Sequence, residues 1–396
     1  MNIYLDNAAT TKMSPAAVAA MMPYFTSVYG NPSGLHSHGQ TAAEALADAR
    51  SRIAAVIGAQ PREIYFTSGG SEADNQAIVS AARFGAMRGK RHIISTQVEH
   101  HAVLHTLKTL EKEGFEITLL PVDEYGMVSA LQVRMAIRSD TALVSVMFAN
   151  NEVGSVNPIA EIGAVCRELG VLFHTDAVQA AGHLPIHVKD MNIDLLSLSG
   201  HKFHGPKGVG VLYARVGVLL QNIIHGGGQE RGKRAGTENV AGIMGMAVAL
   251  EESVTNMEER SRKVAVLRDR LIAGLREIPH GLLNGSPTHR LPNNVHFCFE
   301  GIEGESLLLL LDDKGIAASS GSACTSGDLD PSHVLLALGR PHEIAHGSLR
   351  LTLSHETTEE EIDYTIAAVT EVVAYLRSIS PVWRDLMNGK SEFVIK

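Results

Sequence analysis

The chain has 396 residues, 45% of them hydrophobic and 19% charged, with a formal net charge of −9. Scattered Lys and Arg in an acidic chain argue against a nucleic-acid or membrane-surface binder, and the length allows a large core and more than one domain. Three widely spaced cysteines cannot build a disulfide framework and point to a reducing compartment. With no basic-then-apolar leader in MNIYLDNAATTK and no apolar run of ~18 residues, the expectation is a cytoplasmic protein with no membrane span.

From about residue 40 to 255, helical and strand patterns alternate. The Ala-rich helix 41–58 leads to a short strand at 63–68, the helix 72–89 follows, and the next strand is 92–97. Later strands, at 142–149, 171–176, 194–200 and 209–213, are continuous apolar runs. Such runs suit strands covered on both faces, hence an α/β fold with a mainly parallel sheet flanked by helices. Ligands of such sheets bind beyond the carboxyl ends of the strands. The helical signal over 239–278 is unusually long, with a break near Asn256, and suits a bridge between two lobes. After it come an alternating strand at 293–301, a helix at 305–315, a strand at 347–354 and a charged helix at 358–379. We read a large domain over 15–256 and a smaller α+β domain formed by 1–14 and 257–396. The stretch 380–396, with the only tryptophan, Trp383, reads as an end segment that packs its few apolar residues, a partner-binding tail being the alternative.

Four strand ends carry candidate chemistry. In 67-TSGGSEADNQAI-78 a strand meets two glycines, with Ser71 at the expected helix N-cap and Asp74 at capping-box spacing. Exposed N–H groups and the positive end of the helix dipole there favour a phosphate, although a glycine turn alone is a common junction. In 174-HTDAVQAAG-182, Asp176 ends a buried run, where a carboxylate needs a cationic partner, and Gln179 lies three residues on. In 197-SLSGHKFHGPKGVG-210, Lys202 follows a buried strand, flanked by Ser199, His201 and His204. A lysine desolvated at a cleft mouth loses its proton readily and becomes a Schiff-base nucleophile. In 98-VEHHAV-103, His100 is placed to stack on a planar ligand; the chain has 19 histidines, yet none shows metal-ligand spacing. A phosphate cradle, an acid, a Schiff-base lysine and a stacking ring at the ends of one sheet describe a pocket for pyridoxal phosphate.

One further stretch, 318-ASSGSACTSGD-328, holds Cys324 among small residues with no large apolar neighbour within four positions. It cannot fill a core and reads as a mobile surface loop. Cys166 and Cys298, within a helical and a strand pattern, read as core residues.

YLDNAATT (4–11), GNPSGLH (30–36), SGGSEADN (68–75), NNEVG (150–154), HTDAVQ (174–179), SGHKFHGPKG (199–208), RAGTEN (234–239) and SSGSACTSG (319–327) together resemble the cysteine desulfurases of the NifS/IscS group, over nearly the whole chain and in order. The resemblance implies the fold type I architecture of pyridoxal-phosphate enzymes and a homodimer. It implies that Lys202 carries the cofactor, Asp176 pairs with its pyridine nitrogen and His100 stacks on the ring. Gly70, Ser71, Ser199 and His201 bind its phosphate, and Gln179 and Asn151 contact the ring oxygen or the substrate. Thr237 reaches the phosphate from the partner subunit, and Arg350 anchors the substrate carboxylate, a bidentate task suited to a guanidinium. Many members carry a second arginine where this chain reads 353-LSHET-357.

The implied activity converts free L-cysteine to L-alanine. Lys202 removes the Cα proton and Cys324 takes the sulfur as a persulfide, with His100 a candidate acceptor of the thiol proton. The sulfur then passes to an acceptor or iron–sulfur scaffold protein. KFHGPKGVG and RAGTENVAGI lean toward the nitrogen-fixation branch. The alternatives are a selenocysteine lyase or another class V aminotransferase-like enzyme, which has no use for the Cys324 loop, and a His-rich metal-binding scaffold.

Overall fold

The computed structural model describes residues 2–320 and 331–395; Cys324 lies outside the described residues. Twelve strands are present among them: β1 (Ile3–Tyr4), β2 (Ile64–Thr67), β3 (His92–Thr96), β4 (Glu116–Leu120), β5 (Thr141–Ser145), β6 (Leu172–Asp176), β7 (Leu195–Ser199), β8 (Gly210–Ala214), β9 (Gly281–Leu283), β10 (Asn294–Phe299), β11 (Ile316–Ala317) and β12 (Ser348–Thr352).

Seven of them form one sheet in the order β2-β8-β7-β6-β5-β3-β4. Five run parallel side by side, and β8 is antiparallel to both its neighbours. β3, β5, β7 and β8 are buried at every position, as continuous apolar runs require. The apolar run at 142–149 leaves the sheet after Ser145, and its remainder enters the loop that carries Asn150 and Asn151. One core, with Ile53, Phe173, Leu196 and Met246, lies on one face of the sheet; another, with Ala77, Ile93 and Leu212, lies on the other.

The break expected near Asn256 exists. Helix Val240–Val254 ends at Thr255, and Asn256, in the left-handed region at φ 55°, turns the chain into helix Met257–Arg276. A separate core follows around Phe297, Phe299, Leu349 and Val369, under helices Met257–Arg276 and Glu359–Ile379. β1 joins it by pairing with β11. Residues 6–14 then run back along the large sheet, where Thr11 and Ser14 donate to the carbonyls of His201 and His204.

The C-terminal stretch packs on its own chain. Arg377 lies 4.0 Å over the Trp383 ring, Phe393 stacks on His280 at 3.8 Å, and the N–H groups of Val394 and Ile395 donate to Glu300. Among the described residues, no helix is long and apolar enough to cross a membrane.

Candidate active site

A cleft of about 980 Å³ opens where the strands of the large sheet end. Lys202, Asp176, His100, Gly70, Ser71, Asn151, Gln179, Ser199, His201 and Arg350 all line it. Thr237 does not; it lies exposed between helices Gln229–Gly232 and Val240–Val254.

The glycine cradle follows from contact distances. Gly69 has φ 155°, and a Cβ on Gly70 would stand 2.7 Å from Val178 Cγ2. Any side chain there would push apart the two strand ends that close the cradle. Helix Gly70–Ala86 starts at this point, so its first N–H groups face the cleft. Here the expectation for Ser71 fails. The N-cap is Gly69, no side chain caps the helix, and Asp74 is turned inward at 1% exposure. The reason is register: with the helix starting at Gly70, the fifth residue faces the sheet, not the cap.

Lys202 ends a 3₁₀ turn directly after β7 and donates to the carbonyls of Ala8 and Ala9 at 2.6 and 2.8 Å. Gln179 donates to the same Ala8 carbonyl at 3.0 Å. The YLDNAATT segment thus lends backbone acceptors to the site, a role its side chains do not announce. His201 bonds Thr10 Oγ1 at 3.1 Å, and burial, aided by Lys202 and Lys207, pulls its pKa down to about 4. It is therefore a neutral imidazole at pH 7.

Asp176 closes β6 and accepts from Val178 N–H at 2.9 Å. Burial pushes its carboxyl pKa up, against the pull of His100 and Lys202. His100 caps helix His101–Lys112, its Nδ1 accepting the Ala102 N–H at 3.1 Å. A neutral ring so held carries its proton on Nε2.

Arg350 sits on β12, 3% exposed, donating to the Asn151 carbonyl at 3.0 Å and to Asp6 at 2.9 Å. Each terminal nitrogen keeps a second proton for a ligand. His355, in the stretch where many relatives carry another arginine, packs on His204 outside the cleft, so Arg350 is the one arginine among the described lining residues. The Asn pair divides its labour. Asn150 builds the turn by bonding Val98 O, Glu152 N and Val153 N, and leaves Asn151 at the cleft.

Sequence reasoning missed a buried acid layer beneath the site. Glu99 accepts from Thr96 Oγ1 and Met147 N on one oxygen, while its other oxygen and Asp74 Oδ1 have no hydrogen-bond partner. Burial holds Glu99 at a pKa of about 8 and raises Asp74 well above the ordinary range. The folded state therefore binds the Glu99 proton more tightly than the unfolded chain, whose glutamates titrate near ~4.3. That stability is complete below the unfolded value and is lost as pH rises through about 8. Stability should fall from pH 6 to 9, and Glu99→Gln should remove about 2–3 kcal/mol of that fall. An unchanged slope in a melting series would show that Glu99 is ionised throughout.

Cys166 and Cys298 are buried core thiols, each pushed up to about 12 by burial. His101 packs on His105 and His333, and among the described residues no His, Cys, Asp or Glu group is placed to hold a metal ion.

Pyridoxal phosphate fits this donor set. The dianion meets the glycine cradle and helix start, Asp176 is a buried carboxylate wanting a cation, and Lys202 supplies the amine. The chain matches the class-V aminotransferase family profile over residues 3–365. It is 55% identical over 393 residues to "Cysteine desulfurase IscS" of Clostridium botulinum, covering 98% of this chain and 99% of that one. The protein of the same name from Methanosarcina thermophila is 56% identical over 380 residues, covering 96% and 94%. Among solved structures, a "NIFS-LIKE PROTEIN" superposes with a TM-score of 0.89 at 38% identity, covering 95% of this chain and all of that one. Sheet, cleft and sequence thus agree: the chain belongs to the class-V aminotransferase family, in its cysteine desulfurase branch.

Proposed function

We propose that the protein is a pyridoxal-phosphate cysteine desulfurase that converts L-cysteine to L-alanine and supplies sulfur for iron–sulfur cluster assembly. The observation that carries this is where the Cys324 segment is anchored. On its N-terminal side Ser319 pairs with Arg350, backbone to backbone, at the cleft. On its C-terminal side His333 bonds the Glu99 carbonyl at 3.0 Å and packs on His101, which lines the same cleft.

Bound at Lys202, the cofactor supplies an electron sink for the substrate Cα carbanion. Arg350 orients the substrate carboxylate, Asp176 holds the ring nitrogen protonated, and Gly70, Ser71, Ser199 and His201 hold the phosphate. Once the substrate amine has displaced Lys202 from the cofactor, the freed Nζ would accept the Cα proton, and Gln179 and Asn151 would face the ring oxygen and substrate. His100 stacks on the ring and presents Nε2–H to developing negative charge. The Cys324 thiolate attacks the substrate sulfur; an S–S bond forms, the substrate C–S bond breaks, and the extra sulfur leaves as a persulfide. Mass spectrometry after one exposure to L-cysteine should show one added sulfur on the Cys324 peptide and one alanine released. Alanine without that added sulfur would reject the reading. Arg350→Lys, which loses the fork, should raise KM about tenfold or more with a smaller effect on kcat.

The functional unit is a homodimer. Met22, Phe25, Tyr29 and Leu35 stand exposed on and beside helix Pro23–Thr26, against which helix Val240–Val254 packs just after Thr237. Four exposed large apolar side chains on one short stretch are what a second copy would cover, and Thr237, exposed just ahead of helix Val240–Val254, would reach that copy's phosphate. The two cores support the division into 15–256 and 1–14 with 257–396. The two buried free thiols, Cys166 and Cys298, support a cytoplasmic setting. An acceptor or scaffold protein takes the sulfur, and KFHGPKGVG and RAGTENVAGI favour the nitrogen-fixation role.

A further inference from the structure

The segment ahead of Thr237 has a geometry that the reaction itself leaves unexplained. Glu230 and Arg231 both occupy the left-handed region, at φ 47° and 56°. Residues with side chains stay there only when their surroundings impose it. What imposes it is a buried clamp. The Glu230 carboxylate receives both fork nitrogens of Arg50, at 2.6 and 2.8 Å, and the Phe66 N–H at 2.9 Å. Arg231 turns back over Tyr65, 4.1 Å from the ring, and donates to the Ile64 carbonyl. Farther on, Gln76 holds the Lys233 carbonyl, and Arg234 grips Glu72, which also accepts the N–H of Ser68 beside the glycine cradle.

The segment is therefore fastened to β2 and to the helix behind the cradle, and it releases the chain at an exposed threonine. A buried carboxylate is costly unless every partner stays in place. Here those partners are one backbone N–H, that of Phe66, and the Arg50 fork, which together fix the course of the chain at Glu230. We propose that Glu230 is a positioning residue for the other subunit: it locks this segment so that Thr237 meets the cofactor phosphate in the partner's cleft. The inference rests on the dimer reading above and predicts a defect that acts in trans.

The test uses full-length holoenzyme and reads retention of the yellow Lys202-bound cofactor in cofactor-free buffer, together with solution mass. Glu230→Gln keeps the side-chain shape and removes the charge. The homodimer should keep its dimeric mass and lose cofactor about tenfold more readily, the scale of one hydrogen bond to a charged group. In a mixed dimer of an E230Q subunit with a K202A subunit, the one cleft with Lys202 receives Thr237 from an unaltered segment. Retention there should recover most of the loss, the remainder reflecting that subunit's own cradle, which Arg234 braces through Glu72. Retention that stays weak in the mixed dimer, or is unaltered in the E230Q homodimer, overturns the proposal. Arg50→Lys, which breaks the fork and leaves the Phe66 bond, takes the same role if E230Q does not fold. Thr237→Ala should match E230Q. A harmless T237A removes the threonine–phosphate reading instead, and a monomeric mass removes the dimer and this inference together.

Discussion

Lys202→Ala protein should be colourless after purification and should turn over L-cysteine at least about 10³-fold more slowly than the unaltered enzyme. In the proposed reaction the amine does two tasks at one atom, tethering the cofactor aldehyde and, once released, carrying the substrate Cα proton. Its position supports both. Lys202 ends the 3₁₀ turn after β7, and the Ala8 and Ala9 carbonyls hold its Nζ. Alanine leaves those two carbonyls facing the cleft, so added cofactor should still bind through the glycine cradle and Asp176, but without a yellow covalent band. Absorbance spectra before and after borohydride treatment check this. A borohydride-stable adduct in K202A, or turnover near the unaltered rate, would place the chemistry on another amine, and Lys207 is the other lysine among the described lining residues.

Cys324→Ala should give the opposite pattern. Colour, cofactor content and the spectral change on adding L-cysteine should all persist, while sulfide and persulfide formation fall by at least about 10²-fold. The two other thiols cannot substitute. Both are buried, and at about 12 their pKa values leave almost no thiolate at neutral pH. The two variants thus separate the halves of the reaction: one removes the electron sink and keeps the nucleophile, the other does the reverse. Sulfide release in C324A comparable to the unaltered protein would mean that the sulfur leaves without passing through a protein persulfide.

If Glu230 acts in trans, the two active sites share a mechanical part. The segment it locks also holds Glu72, which grips Ser68 at the start of the same subunit's cradle. Each cradle would then be braced by the segment that serves the neighbouring site.

Much of the site was readable along the chain because its chemistry sits at strand ends, where a buried apolar run stops and a polar residue begins. Asp176 after VLFHT and Lys202 after LLSLSGH are marked in this way, and both line the cleft. The break at Asn256 was likewise visible, since Thr-Asn interrupts an otherwise good helical pattern. Ser71 shows where such reading fails. Its spacing to Asp74 matches a capping box, yet the N-cap is Gly69, and that shift of two positions turns Asp74 inward toward the sheet.

Local pattern therefore sufficed for the α/β class, the lysine, the acid and the glycine turn, because each depends on neighbours a few residues away. Other features depend on partners more than a hundred residues distant. The Ala8 and Ala9 carbonyls on Lys202, Asp6 on Arg350 and Arg50 on Glu230 are of this kind. So is the depth at which Glu99 and Asp74 come to lie. A backbone carbonyl has no letter in the sequence, and burial of a carboxyl is set by what the finished fold places around it. The contacts to Lys202 and Arg350 exist only because residues 6–14 cross from the smaller core to the mouth of the large sheet.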